Sequence, residues 1–335
     1  MNKSIKILCP SCKSPISEDI FNIDKKIQSI TCVKCNHECQ SLNGCLNLVT
    51  SASSEEEYYD EMYSVDKVVT SKINWDDLRN IWLSPIFPIQ KNFLYYQSSS
   101  ISHHFKDFKD STILSLGSGI SEKELYFLHL GAKLIYTDLS HNAVSYIKKK
   151  VDLEIYEGKV AFHSMDAENI AIEDNSVDFV IGTAFVHHID DINPLFLEIN
   201  RVLKKGGLCF FYDFAYSRLW QKLKFTMLRP LVYATHKRSG ISPQDTKATH
   251  RGGYKKSEIL KIKETFSFDK HIYHRSGFFT NLFERFILKI IKYTPASYKL
   301  LLFLIPILNI IDKYLSKNLS FFRNNTLDLF WGFQK

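Results

Sequence analysis

Two cysteine pairs stand near the start of the chain, Cys9-Pro10-Ser11-Cys12 and Cys32-Val33-Lys34-Cys35. Nineteen residues separate them, which suits two tight turns that close four thiolates around one tetrahedral ion. Zinc is the expected metal, with iron in a rubredoxin-like site as the alternative. Four thiolates leave no coordination position for water or substrate, so the expected role is structural. Cys39, Cys45 and His37 are close in sequence and are expected to pack rather than to ligate.

A second constellation begins at Ile113-Leu114-Ser115-Leu116-Gly117-Ser118-Gly119-Ile120, a strand that breaks into a Gly-x-Gly turn and then opens a helix. Glycine there lets the backbone approach a ligand and take conformations that other side chains forbid. About twenty residues on, Asp138 ends the next apolar run, where a carboxylate can accept from both hydroxyls of a ribose. A helix N-cap or turn residue is the alternative reading of Asp138. A dinucleotide site wants a third glycine and a helix N-terminus facing a pyrophosphate. Here Ser121 stands at that position and Glu122 and Glu124 follow, which would repel pyrophosphate but tolerate a sulfonium and an ammonium. The pattern favours S-adenosyl-L-methionine.

Further on, Asp166-Ala167-Glu168 follows a third apolar run, and Ile172–Val180 leads into a fourth. With these stretches the chain resembles the class I methyltransferase family, in particular bacterial members with a methyltransferase domain of the ubiquinone and menaquinone biosynthesis type. The matching segments are LSLGSG, IYTDLS, MDAENIAIEDNSVDFVIGTAFVHHIDD and INRVLKKGGLCFF, covering roughly residues 111–215. The resemblance implies that Gly117 and Gly119 lie against the methionyl part of the cofactor and that Asp138 holds its ribose, with Ser118 and Leu139 beside them. It also implies that Asp166 binds the adenine amine, that Ala167 adds a backbone contact, and that Thr183 and Ala184 border the methionine moiety and the acceptor. Two departures bear on the amino-acid end: the family often has an acidic residue where Ser115 stands and a third glycine where Ser121 stands. The two knuckles, with the trailing Leu42–Leu48, resemble the zinc ribbons that accompany some methyltransferases. Those ribbons occur as small partner subunits or fused to bacterial ribosomal-RNA guanine methyltransferases.

Methyl transfer asks for an in-line approach of a nucleophile to a sulfonium, so positioning in a desolvated pocket supplies much of the rate. A base is needed only where the acceptor must lose a proton. His187 and His188, just past the fourth apolar run, are the candidate catalytic residues because imidazole titrates near neutral pH. The alternative is that the pair starts a helix and packs.

These residues must be held by a frame, and short apolar runs alternating with amphipathic segments announce successive βα units. Strands are expected at Ser111–Leu116, Lys133–Thr137, Val160–His163, Val177–Thr183 and Leu208–Phe214, with helices at Ser121–Leu130, Asn142–Val151 and Pro194–Leu203. Strand character returns at Ser267–Phe279 and Leu327–Phe333. The expected fold is α/β: a doubly wound, mostly parallel, seven-stranded Rossmann-like sheet with an N-terminal zinc ribbon and a helical insertion near the C-terminus. Residues 1–50 form the ribbon, too poor in apolar residues to fold without a metal. Residues 51–110 form a linker and helical lid, with Trp75, Trp82, Tyr95 and Tyr96 packing over the mouth of the next domain. The methyltransferase domain takes 111–335, with 215–266 and 281–325 as basic or apolar helical insertions.

At 335 residues, 45% hydrophobic and 24% charged, the chain supports one sizeable core plus smaller pieces, and disorder is excluded as its main state. No apolar leader of secretory length opens it, so a reducing cytoplasmic setting is expected, consistent with cysteines used for metal. The net charge of +7 hides an asymmetry: residues 215–335 carry 22 Lys+Arg against 7 Asp+Glu, and the rest of the chain is net acidic. Such a basic half faces phosphates, nucleic acid or an anionic membrane, or is simply a solvated lysine-rich surface. The apolar stretch YKLLLFLIPILNIIDKYL at 298–315 is too short in its uninterrupted part to span a bilayer. Flanked by lysines, the region 281–317 could lie at the inner face of the membrane, or be buried as a cap.

The leading functional expectation is S-adenosylmethionine-dependent methylation of a small-molecule or lipid-linked acceptor, such as a quinone precursor, a natural product or a surface-glycan intermediate. Two others stay open. One is a ribosomal-RNA methyltransferase using the ribbon and basic residues such as Lys237, Arg238 and Arg251, although no interleaved basic and aromatic RNA-binding motif is present. The other is a non-catalytic module whose cofactor site has decayed at Ser115 and Ser121.

Overall fold

A computed structural model of the chain describes residues 4–50, 54–63, 108–214, 253–276 and 328–335, less Glu18, Lys25, Asn43, Asp152 and Asp190, with scattered positions at 72–73, 217–219 and 278–325. Five strands form its parallel centre: β6 (Thr112–Leu116), β7 (Lys133–Asp138), β8 (Val160–Met165), β9 (Val177–Thr183) and β10 (Leu203–Phe214). Every residue of β6 and β8 is buried, so these segments are mostly apolar on both faces, with Ser115, His163 and Ser164 among the buried polar exceptions. Two late strands, β11 (Lys270–Ser276) and β12 (Asp328–Gln334), close one side, with β12 antiparallel to both β10 and β11. The spatial order β8-β7-β6-β9-β10-β12-β11 is the expected seven-stranded doubly wound sheet.

Helices cover both faces. The expected helix at Ser121–Leu130 is a 3-10 turn at Lys123–Leu125 running into the short α2 (Tyr126–His129). Before it, the carbonyls of Ser118, Gly119 and Ser121 all face the Tyr136 hydroxyl, at 3.2, 3.0 and 2.9 Å. Helix α3 (His141–Lys150) starts at Ser140, whose hydroxyl accepts from Ala143 N–H, and ends on Lys148, Lys149 and Lys150, matching the helix dipole at both ends. Helix α4 (Ile192–Val202), capped by Asp191, buries Leu195, Phe196, Ile199 and Val202 against the sheet, and α5 (Lys256–Thr265) buries Ile259 and Ile262 there too.

The N-terminal strands β1 (Ile7–Leu8), β2 (Pro15–Ser17), β3 (Ser29–Thr31), β4 (Glu38–Leu42) and β5 (Cys45–Leu48) do more than hold a metal. Strand β5 pairs in parallel with β8, Asn47 opposite Ser164 and Leu48 opposite Met165, so the ribbon extends the main sheet to ten strands among the described residues. Ile5, Ile7, Ile20, Cys39, Leu46 and Leu48 belong to the same buried cluster as Leu114, Leu116 and Phe196. Parallel pairing without a local turn has no short-range sequence signal. Its consequence is that ribbon and main sheet share one core.

His163 sits at that seam, 1% exposed. Its Nδ1 accepts from Leu46 N–H at 3.1 Å, and its Nε2 donates to the Ile20 carbonyl at 3.1 Å, an arrangement only neutral imidazole can make. Burial pushes its pKa down to about 4. An unfolded histidine titrates near ~6.5, so between these values the unfolded chain binds the extra proton and stability is lost as pH falls. We expect this group to account for about 2 kcal/mol of lost stability between pH 7 and pH 5. Urea unfolding at the two pH values should show a smaller drop in His163→Gln than in the wild type; an equal drop would assign the acid sensitivity elsewhere.

Candidate active site and metal centre

The four thiols of Cys9, Cys12, Cys32 and Cys35 lie within 4.8 Å of one another, with Cys9 and Cys35 Sγ 3.6 Å apart and Cys12 and Cys32 Sγ 3.6 Å apart. Tetrahedral zinc with Zn–S near 2.3 Å requires sulfurs about 3.8 Å apart, so the set is compatible with a structural zinc. The two turns repeat one geometry. Lys13 N–H donates to Cys9 O at 2.8 Å and Asn36 N–H to Cys32 O at 2.8 Å, and both residues adopt a left-handed backbone with φ of 58°. Cys39 and Cys45 stand outside the cluster, each within a buried hydrophobic group.

The first knuckle rests on the sheet's helices. Lys13 Nζ donates to the Ile170 carbonyl at 2.9 Å and pairs with Glu198 at 3.0 Å, and Arg201 joins Glu198 to Asp174. The Pro10 carbonyl accepts from Asn169 Nδ2 at 2.9 Å. Asn169 closes the turn that begins at Asp166, donating its N–H to the Asp166 carbonyl at 3.1 Å. The metal knuckle is therefore buttressed against the loop at the end of β8.

At the carboxyl end of the parallel strands the sequence-derived residues converge. Gly117 and Gly119 both have φ of +56°, and Gly119 N–H donates to Asp138 Oδ2 at 2.6 Å across the β6–β7 gap. A Cβ at Gly117 would sit 2.6 Å from the Phe185 ring and its Cβ, so both backbone conformation and space demand glycine there. Asp138 Oδ1 accepts from Ser140 N–H at 2.9 Å, which leaves each oxygen with a second lone pair for a ligand hydroxyl. Burial raises the Asp138 pKa, and Asp60 nearby adds to the rise. Leu139 follows it, half-buried. Asp166 and Ala167 lie at the end of β8, where Asp166 Oδ1 accepts from Glu168 N–H at 2.8 Å. Thr183 ends β9 on the other side of β6, and Ala184 after it has a left-handed φ of 56°, a strained conformation of the kind found at functional sites.

Four contributors, Tyr59, Asp60, Tyr63 and Asp213, belong to no motif read from the sequence. Helix α1 (Ser54–Tyr63) reads as a polar linker, yet it lies over the site. Its Asp60 accepts from Ser140 Oγ and from Asn142 N–H at 3.1 Å, at the N-terminus of α3 where a carboxylate is favoured. One turn on, the Tyr63 hydroxyl reaches the Gly119 turn, 3.0 Å from where a Cβ would be. Burial, together with the Asp138 charge, pushes the Tyr63 pKa up to about 12. One residue before Asp60, the Tyr59 hydroxyl meets His188 Nδ1 at 3.2 Å. The i, i+4 spacing of Tyr59 and Tyr63 sets both phenols on one helical face, the single clue available in advance. Finally, Asp213, buried at the end of β10, binds His187 twice, Oδ1 to Nδ1 at 2.7 Å and Oδ2 to the backbone N–H at 3.1 Å. His187 is thus pinned in place, while His188 faces the Tyr59 side. The expected lid residues Trp75, Trp82, Tyr95 and Tyr96, and most of 281–317, lie outside the described residues.

Residues 114–211 match the family described as a methyltransferase domain. This stretch is a methyltransferase domain. Phosphoethanolamine N-methyltransferase 2 of Caenorhabditis elegans is 31% identical over 134 residues, 39% of this chain and 30% of that enzyme. Demethylmenaquinone methyltransferase of Bacteroides fragilis is 24% identical over 168 residues, 47% of this chain and 69% of that enzyme. Among solved structures, geranyl diphosphate C-methyltransferase of Streptomyces coelicolor superposes with a TM-score of 0.53 at 11% identity, over 84% of this chain and 98% of that one, a likeness of fold. The chain spans less than half the length of the first curated relatives it matches, 30% and 45%. The methyltransferase domain thus carries the glycine turn, Asp138, Asp166 and the His187-His188 pair within its matched region, while α1 and the cysteine knuckles lie outside it.

Proposed function

We propose that the chain is an S-adenosylmethionine-dependent methyltransferase acting on a small-molecule or lipid-linked acceptor. The observation that carries the reading is the hydrogen bond from Gly119 N–H to Asp138, which joins the glycine turn to the carboxylate at the ends of two adjacent parallel strands. The bound cofactor would supply an electrophilic methyl group. The chain's part is to hold it: Gly117, Ser118 and Gly119 against the methionyl part, Asp138 and Leu139 at the ribose, Asp166 and Ala167 at the adenine. Thr183 and Ala184 border the acceptor side. Tyr59 and Tyr63 exclude water from above, and the Tyr59–His188 pair offers a proton acceptor at the acceptor side.

The acceptor class rests on different features. The relatives named above carry names that point to small or lipid-related substrates, phosphoethanolamine and demethylmenaquinone. The described part of the C-terminal region exposes Ile310, Tyr314 and Phe321 by 70, 66 and 56%, with Lys317 among them, an amphipathic surface suited to an anionic membrane interface. No helix among the described residues is long and apolar enough to cross a membrane.

Incubating fractionated extract with the enzyme and methyl-labelled cofactor tests the reading: label should enter lipids or small metabolites. Label in RNA would instead favour the ribosomal-RNA reading, and salt-dependent RNA binding would support it. Where the acceptor loses a proton, His188→Ala should lower turnover by about 10²- to 10⁴-fold with cofactor affinity unchanged. Equal turnover in the two proteins would remove His188 from the chemistry.

A further inference from the structure

Glu124 is the odd group in this site. It is 3% exposed, and its Oε1 accepts from the Thr183 hydroxyl at 3.0 Å, which ties the turn after β6 to the end of β9. Those two strands flank the point where the chain reverses its direction of winding across the sheet, the place where ligands bind in open α/β sheets. Its second oxygen, Oε2, is buried and has no hydrogen-bond partner among the described residues. A carboxylate oxygen left unpaired in such a place is costly unless a ligand meets it. Meanwhile Ser115, standing where related enzymes often carry an acid, is 1% exposed and spends its hydroxyl on Ser118 Oγ at 2.6 Å. The position that would supply a negative charge is therefore neutral and internally satisfied, and a carboxylate nine residues later occupies the same crevice.

We propose that Glu124 is the counter-charge for the ammonium group at the amino-acid end of the cofactor, with Thr183 fixing the orientation of its carboxylate. The inference rests on the cofactor reading above and adds a residue that reading does not use. It also explains why an acidic residue is tolerated beside a glycine turn: the ligand end that reaches it is cationic, not a phosphate.

Calorimetry on the full chain decides it with three ligands: S-adenosylhomocysteine, its decarboxylated form, which keeps the ammonium, and methylthioadenosine, which lacks the whole amino-acid end. Glu124→Gln should weaken the first two by about 10- to 100-fold and leave methylthioadenosine unchanged, as expected for loss of a charge-assisted hydrogen bond. Equal weakening of all three, or unchanged binding of S-adenosylhomocysteine, overturns the proposal. Glu124→Met is tested beside it because it removes the charge without burying an amide; if neither variant folds, Glu124 is a structural residue and the proposal falls. Should the wild type bind none of the three ligands, the cofactor reading itself has failed, a result separate from these.

Discussion

Removing the metal from the four-cysteine site with a strong chelator should lower the melting temperature of the whole chain by roughly 10 °C or more, in a single transition. A ribbon hung on a linker would melt separately and leave the rest untouched. Here β5 is hydrogen-bonded to β8, the residues Ile5, Ile7, Ile20, Leu46 and Leu48 sit inside the main hydrophobic cluster, and the Lys13–Glu198–Arg201 network joins the first knuckle to α4. Loss of the ion frees the turns at Cys9 and Cys32, and with them the edge of the sheet. The same chelation should weaken cofactor affinity, because Pro10 holds Asn169 in the turn that starts at Asp166. Calorimetric melting with and without chelator, and re-addition of zinc, checks both parts. Two separated transitions, with the second at the untreated temperature, would mean that ribbon and sheet fold independently.

Replacing Asp138 by Asn should weaken S-adenosylhomocysteine binding by about 100-fold or more. The carboxylate does two jobs that an amide cannot do together. It accepts from Gly119 N–H and Ser140 N–H, and it must keep lone pairs for two ribose hydroxyls. An amide has one accepting oxygen, so either the turn or the ligand loses a partner. Stability should fall far less than affinity, since Ser140 keeps its own bonds to Ala143 and Asp60. Titration calorimetry with thermal melting separates the two effects; unchanged affinity at unchanged stability would remove Asp138 from the ligand site. Asp166→Asn should cost less, because Asp166 is only half-buried and water can stand in for part of its bonding.

Strands β6 to β9 were legible because buried parallel strands are mostly apolar on both faces, and helices α3 and α4 because burial leaves a 3.6-residue period, whereas the segment after β6 formed only a 3-10 turn and the short α2. The cysteine knuckles and the Gly117-Ser118-Gly119 turn were legible because metal geometry and left-handed backbone admit few residue types. Asp138 followed from its place at the end of an apolar run.

What the chain's residues determined by themselves is thus local: which segments are strands, which turns need glycine, and which four thiols can meet. What only the tertiary structure decided is pairwise and distant. The Leu46–His163 bond spans 117 residues, Tyr59–His188 spans 129 and Thr183–Glu124 spans 59, and none of these partners has a composition that announces the other. The reason is that side-chain chemistry at one position constrains its neighbours in space, and only the folded sheet turns distance along the chain into contact.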